Sequence, residues 1–285
     1  MKKLFAILIS IILIASFTLP ISAKDATKVY VSIADGSGTL QLIQKEVVLT
    51  DTDNDGALTI NDAFYLAHEQ NYKGGASAGY ATATTTWGES LTKLWGVDNG
   101  GWYVYYVNNA AAMGLAQPLN DGDYLEAFCF TDLTNGSDVY SYFTDKSLDK
   151  TADEEFEVTL KKEEIDYTTW ASSMVPAGNA TITIDGVATD YVTDANGVAK
   201  IKISKNGEHI VSAKGNNGEI LMAPALKVTI TGEVIAEVDP EPTEVAKETS
   251  DIPATGEGFE IFAAFIVLIM AGIALLAAKK HEKAN

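Results

Sequence analysis

The chain contains no arginine: its 20 Lys+Arg are all lysine, against 39 Asp+Glu, for a formal net charge of −19 over 285 residues. Binding to nucleic-acid phosphates needs clustered Lys/Arg, so no nucleic-acid partner is expected, whereas a soluble body that attracts cations fits this balance. Cys129 is the only cysteine, which excludes an intrachain disulfide. Its surroundings, LEAFCF, read as a strand in which a small apolar side chain is buried, not as a reactive thiol. Only three histidines occur, and no zinc spacing, phosphate loop or dinucleotide fingerprint is present. Long hydrophobic runs are missing except at the two ends.

The first end reads MKKLFAILISIILIASFTLPISAKD. Lys2 and Lys3 precede an apolar run, and Ile21-Ser22-Ala23 offers a small residue before a cut, so residues 1–23 read as a secretory signal peptide. An uncleaved anchor is the alternative. Near the other end, residues 261–278 form an uncharged apolar run of 18 residues, long enough to cross a bilayer as a transmembrane helix. The basic tail 279–285, with Lys279, Lys280 and Lys283, would remain cytoplasmic. A plain membrane anchor is one reading of this arrangement. Ile252-Pro253-Ala254-Thr255-Gly256, then the span, then the basic tail, resembles the sortase sorting signal of Gram-positive surface proteins. That family carries Leu-Pro-any-Thr-Gly, and Ile252 stands here in place of leucine. The resemblance implies that a sortase cysteine cuts between Thr255 and Gly256 and passes the new carboxyl end to a peptidoglycan-precursor amine. The protein would then be extracellular and anchored to the cell wall, meeting the membrane only through its sorting span.

Between the ends, residues 232–251 (GEVIAEVDPEPTEVAKETSD) are acidic and proline-containing, with too few core-forming residues to fold, and read as an extended stalk. Residues 154–231 alternate with period two: Ala180, Ile182, Ile184; Ala199, Ile201, Ile203; Leu226, Val228, Ile230. Asn196-Gly197 and Asn206-Gly207 supply hairpin signals, and the pattern predicts a small β-sandwich. The stretch VTDANGVAKIKISKNGEHIVSAKG resembles Ig-like or carboxypeptidase-regulatory-like modules, which usually act as spacers. A composition break at Lys150–Glu155 predicts that 28–149 and 154–231 are separate, independently folding domains.

In 28–149, VYVSIA, LQLIQ, EVVLT, GWYVYYVN and DYLEAFCF read as strands, with a helix near Asn61–Tyr72. The segment GVDNGGWYVYYVNN (96–109) and the later LNDGDY (119–124) resemble the transcobalamin-C-terminal-like family. That resemblance implies a β-grasp-like (α+β) domain. In transcobalamin the module closes over cobalamin held by a separate helical domain; no such helical domain is read in this sequence, so the resemblance implies the fold and leaves cobalamin binding open. The expected whole is mainly β with one principal helix: a β-grasp-like domain, then an Ig-like β-sandwich, flanked by signal peptide and transmembrane helix.

Residues 51–62 read DTDNDGALTIND. Asp51, Asp53, Asp55 and Asp62 occupy positions 1, 3, 5 and 12 of an EF-hand-type loop, with Gly56 at 6. Position 7 (Ala57) would give a carbonyl and position 9 (Thr59) would act through water, making Ca²⁺ the expected cofactor. A strand before the loop and aspartate at position 12 resemble a single dockerin-type repeat; dockerins carry two, so a cohesin partner does not follow. The competing reading makes Asn54-Asp55-Gly56 a turn and Thr59/Asp62 a helix cap. The two are compatible.

Gly75-Ala76-Ser77-Ala78-Gly79 matches G-x-S-x-G, but it follows a helix in a run of small residues and lacks the context of a nucleophile elbow. A serine hydrolase built on Ser77 is therefore the third-ranked reading. Ser90-Leu91-Thr92-Lys93 matches S-x-x-K with no K-T-G, and His68 reads as a surface histidine. Trp87, Trp95, Trp102, Tyr103, Tyr105 and Tyr106 crowd one region. Trp102, Val104 and Tyr106 share one strand face, and Tyr103, Tyr105 and Val107 the other. One set should be core; the other is either a platform for a sugar, ring-bearing ligand or partner, or buried as well. The expected function is a non-enzymatic surface protein that binds an extracellular ligand or partner protein. The alternative is a structural adhesin or pilus-type component with no small-molecule ligand.

Overall fold

The computed structural model describes residues 26–232 apart from 87, 99 and 170. The expected signal peptide, sorting motif, apolar span and basic tail lie outside the described residues, as does the stalk after Gly232. Strand β1 (Lys28–Ala34) pairs antiparallel with β2 (Leu40–Val48). β2 is one strand where the sequence suggested two. A register shift absorbs the irregularity at Gln44, whose φ is 41° and whose N–H donates to Ser32 Oγ at 2.9 Å. Helix α1 (Ile60–Asn71) follows, then a single helical turn, α2 (Ala76–Gly79). A hairpin of β3 (Ala81–Thr85) and β4 (Gly88–Lys93) leads to β5 (Tyr103–Val107), β6 (Ala110–Ala111) and β7 (Tyr124–Cys129).

The first sheet has the order β2-β1-β7-β5-β6, with β1 and β7 parallel at its centre and the remaining pairs antiparallel. Ile60, Ala63, Phe64 and Ala67 recur at helical spacing and are fully buried. They meet Val29, Val31 and Ile33 of β1 and Leu125, Ala127 and Cys129 of β7. This contact fixes the start of α1 under the sheet.

The second body begins with β8 (Asp138–Val139), β9 (Ser141–Phe143) and β10 (Ser147–Thr151). It continues through β11 (Glu155–Asp166), β12 (Ala171–Pro176), β13 (Ala180–Ile184), β14 (Val187–Val192) and β15 (Val198–Lys202). β16 (Gly207–Gly215), β17 (Ile220–Leu221) and β18 (Leu226–Thr231) complete it. One sheet runs β10-β18-β16-β13-β14 and another β12-β11-β15, with β9 also on β11. Phe156, Val158, Leu160 and Ile201 from one side share a core with Ile182, Val211, Val228 and Ile230 from the other.

The division between the bodies falls earlier than the sequence suggested. β8 pairs with β17, β9 with β11 and β10 with β18, so residues from Asp138 onward belong with the second body. The composition break at Lys150–Glu155 marks only a turn between β10 and β11, with Asp153 at φ 62°. A third apolar cluster joins the bodies: Ala34, Tyr106 and Phe128 from the first sheet meet Tyr140 and Met222. All described residues fall in one compact unit.

Candidate functional site

The loop from Asp51 to Thr59 connects β2 to α1. Asn54 (φ 63°) and Gly56 (φ 89°) are both left-handed, curling the backbone around the acidic side chains. Asp51 accepts from the N–H groups of Asp55 (3.2 Å) and Gly56 (3.0 Å), and Asp55 from that of Ala57 (2.8 Å). Asp53 accepts from Asn61 Nδ2 at 2.8 Å, and the Asn61 carbonyl oxygen in turn accepts from Tyr80 Oη at 2.6 Å. The loop is thereby tied to the first turn of α1. The Asp51, Asp53 and Asp55 carboxylates are exposed, and each offers an oxygen within 4.8 Å of the other two. Oxygens sharing one Ca²⁺ sit at about 2.3–2.6 Å from it, hence no more than about 5 Å from each other, so this cluster could hold a metal ion.

Asp62 stands elsewhere. It is fully buried, and its Oδ1 accepts from the Thr52 N–H and hydroxyl, both at 2.6 Å. Oδ2 accepts from the Thr59 N–H (2.9 Å) and hydroxyl (3.1 Å), completing a capping box on α1. Burial works against its charge, yet the bonds from Thr52 and Thr59 prevail and hold its pKa below the ordinary aspartate value. The side chain at position 12 clasps the two ends of the loop. Thr59 is likewise occupied as the N-cap, and Ala57 lies beside the cluster through its N–H to Asp55.

His68 is not on the surface as the sequence suggested. Four residues after Phe64, it lies on the same helix face and is fully buried. Nδ1 donates to the Phe64 carbonyl at 2.6 Å, and Nε2 accepts from the Trp95 N–H at 2.9 Å, which fixes the tautomer. Burial lowers its pKa to about 4, against the opposing effect of the Phe64 bond. Ser77 is exposed on α2, its hydroxyl directed at the Gly74 carbonyl (3.3 Å). His209, in the second body, is held by Asp185 and the Lys205 carbonyl, so neither described histidine faces Ser77. The glycines of G-x-S-x-G have a packing role: a Cβ on Gly79 would stand 2.5 Å from the Tyr72 ring. Ser90 lies on β4 beside the Thr85 hydroxyl, on the exposed hairpin.

The aromatic strand is covered on both faces. Tyr103 places its hydroxyl 2.8 Å from the Thr92 and Val97 carbonyls, and Tyr105 meets Phe64 edge-on at 5.6 Å. On the opposite face Tyr106 is 4% exposed and stacks on Tyr140 with ring centroids 3.5 Å apart. Its hydroxyl donates to Glu163 Oε2 at 2.7 Å; burial, then that bond and charge, raise its pKa. The face of Val104 and Tyr106, one of the two from which a platform could have come, thus forms the junction with the second body. Trp102 is the member that keeps a large exposed area, 41%, with its indole against Phe130 and over Gly136. A cleft of about 690 Å³ opens beside it, lined by Tyr106, Phe130, Tyr140, Glu163 and Tyr167 among others. Trp87 lies outside the described residues.

Among the described residues no helix is long and apolar enough to cross a membrane. No family model matches the chain, and no curated protein matches it. Among solved structures, the fibronectin(III)-like modules of Clostridium thermocellum CbhA match 45% of this chain and 77% of their own, at 9% identity and a TM-score of 0.26.

Proposed function

We propose that the chain is a non-enzymatic surface protein of a Gram-positive cell, joined to peptidoglycan through Thr255 by a sortase, with residues 26–232 as its head. The observation that carries this reading is the order of Ile252-Pro253-Ala254-Thr255-Gly256, apolar span and basic tail. The first sheet supports a β-grasp-like domain: two hairpin-like arms, a parallel central pair and one helix packed on a single face. The opposed sheets of the second body support an Ig-like spacer. Ca²⁺ fits the Asp51–Asp53–Asp55 cluster, which offers hard oxygen donors and a local charge that a divalent cation neutralises. Bound there, it would hold the loop to the start of α1. It would have no catalytic part.

Between a ligand-binding module and a structural adhesin or pilus-type component with no small-molecule ligand, the structural reading is favoured. Tyr106, one of the four aromatic residues of the candidate platform, is stacked on Tyr140 in the junction, so the aromatic strand serves to unite the head. The anchoring is tested on cell walls boiled in detergent and then digested with muramidase. Protein released only by digestion is the expected result. Complete release by detergent would replace the sortase reading with a plain membrane anchor.

A further inference from the structure

Three elements converge on one small cluster at the junction. The turn between β5 and β6 has two residues, Asn108 and Asn109, with φ of 50° and 66°. Both central residues are left-handed, as a type I′ hairpin requires, and asparagine tolerates this conformation. Asn108 is pinned by Asp123 and Tyr124, which leaves Asn109 pointing toward the second body. Glu126, 5% exposed, lies on β7 directly opposite Tyr106 and shares its face. The loop between β9 and β10 brings in Lys146, whose carbonyl accepts from Gln44 Nε2 (2.8 Å) and the Lys227 N–H (3.1 Å). The lysine is therefore held by its backbone before its side chain makes any contact.

That side chain is enclosed. Lys146 Nζ lies 2.8 Å from Glu126 Oε1 and 2.9 Å from Asn109 Oδ1. The rings of Tyr124 and Tyr142 flank it, with centroids at 5.5 and 5.9 Å. The Tyr140 hydroxyl lies 2.5 Å from the other oxygen of Glu126 and 3.2 Å from Asn109 Oδ1. The Lys146 ammonium, which can only donate, identifies the amide atom it faces as the carbonyl oxygen. The carbon behind it is one C=O bond, about 1.2 Å, further on. An amine, a carboxamide, a carboxylate and a phenol are thus gathered within hydrogen-bonding distance of one another, with the Lys146 and Glu126 side chains only 17% and 6% exposed. Proximity of this kind is what makes an otherwise inert amide open to attack.

We propose that Lys146 and Asn109 form an intramolecular amide crosslink, made by the chain itself, with Glu126 as proton carrier and Tyr140 as donor to the amide oxygen. Glu126 takes a proton from the Lys146 ammonium, and the neutral Nζ attacks Asn109 Cγ. Neutralised, Glu126 releases the Tyr140 hydroxyl to the oxygen on which negative charge develops, a preorganised oxyanion donor. The Cγ–Nδ2 bond then breaks, and Nδ2 departs as ammonia with the proton carried by Glu126. A second proton passes from the newly bonded Nζ through Glu126 to the ammonia, which leaves as ammonium. One ammonium and one carboxamide become one secondary amide and one ammonium ion. Glu126 ends as the carboxylate it began as, and no oxidant or cofactor takes part. The bond joins the first body to the second across the junction.

The test uses the full chain, purified and digested with a protease that cuts before aspartate. Asn109 is then confined to peptide 98–120 and Lys146 to 145–148. The expected product is these two peptides joined, lighter than their sum by one ammonia, about 17 Da. Two separate peptides at their sequence masses would overturn the proposal without recourse to any variant. Ammonia loss confined to peptide 98–120 would also overturn it, since cyclisation of an asparagine alone has the same mass and joins nothing. Glu126→Gln, which preserves shape, should leave the peptides separate, as should Asn109→Ala and Lys146→Met. Undiminished joining in Glu126→Gln would refute the role given to Glu126.

Discussion

Asp62→Asn separates two roles that the loop sequence cannot distinguish. In the structure each oxygen of Asp62 accepts from one backbone N–H and one hydroxyl, at Thr52 and at Thr59. An asparagine retains one oxygen and presents an NH₂ group to the other pair. A hydroxyl can turn round to accept, but a backbone N–H cannot, so one buried donor is stranded at a cost of about 1–3 kcal/mol. Loss of charge assistance and weakening of the cap overlap with this, the cap alone being worth about 0.5–2 kcal/mol. A net loss of about 3 kcal/mol follows, or roughly 6–12 °C in melting temperature for a unit of this size. Thermal melts are compared with chelator and with excess calcium. The loss should be the same in both, because Asp62 stabilises through hydrogen bonds. Asp53→Asn should instead leave the chelated melt nearly unchanged and remove the calcium increment, about 2.7 kcal/mol when calcium is 100-fold above its dissociation constant. If Asp62→Asn melts like wild type in chelator and loses only the calcium increment, Asp62 is a ligand and the clasp is wrong. The lowered pKa of Asp62 adds a pH signature. Its contribution is complete above the unfolded aspartate value, about 3.9, and disappears as pH falls through the lower folded value.

His68 should destabilise the fold in mild acid. Its folded pKa is lowered to about 4, so between that value and its unfolded value of about 6.5 only the unfolded chain takes the proton, and stability falls by roughly 3 kcal/mol across the window. Denaturant melts at stepped pH would show this slope, and its persistence in His68→Gln would assign it to another group. Tyr106→Ala removes a ring that is 4% exposed and should cost about 3–5 kcal/mol, lowering the melt of both bodies in a single transition. A second body that melts at its wild-type temperature would mean that the junction is not a shared core. The Cys129 thiol, pushed up to about 12 by burial and then by the Asp35 charge, should resist alkylation at neutral pH until the chain is denatured. Stoichiometric labelling of the native protein would contradict its burial.

Local patterns in the chain were faithful to what short-range chemistry controls. The period-two runs of the second body, the placement of α1 and the alternation of Trp102, Val104 and Tyr106 against Tyr103, Tyr105 and Val107 all stand in the structure. What covers each face was not legible, because the cover comes from afar: Tyr140 and Met222 close over Tyr106. Gln44 shows the same limit. It lets β2 bulge without breaking because its amide reaches the carbonyls of Lys146 and Ala225, 102 and 181 residues away. The acidic loop was legible as a cluster, since Asp51, Asp53 and Asp55 alternate along the chain and come together. Whether Asp62 joins them depends on where Thr52 and Thr59 lie in space. His68 could have been read as buried from its spacing to Ile60 and Phe64 on the apolar face of α1. Lys146 and Asn109 carry no spacing signal, because their meeting depends on the junction itself.

The parallel pairing of β10 with β18 sets how the head bears mechanical load. If the head is tethered through Thr255 as proposed, it is pulled at the Thr231 end of β18, while a load applied to the first body reaches β10 from its Ser147 end. Because the strands are parallel, with Ser147 beside Lys227 and Thr151 beside Thr231, these pulls act along the ladder from opposite ends. The ladder is therefore loaded in shear, and its bonds must give together instead of peeling one by one. β18 is also flanked on its other side by β16, so it has no free edge from which to peel. Under tension the lifetime of such a fold follows its unfolding rate and not its equilibrium stability. A protein with an ordinary melting temperature can in this way hold for long periods against drag.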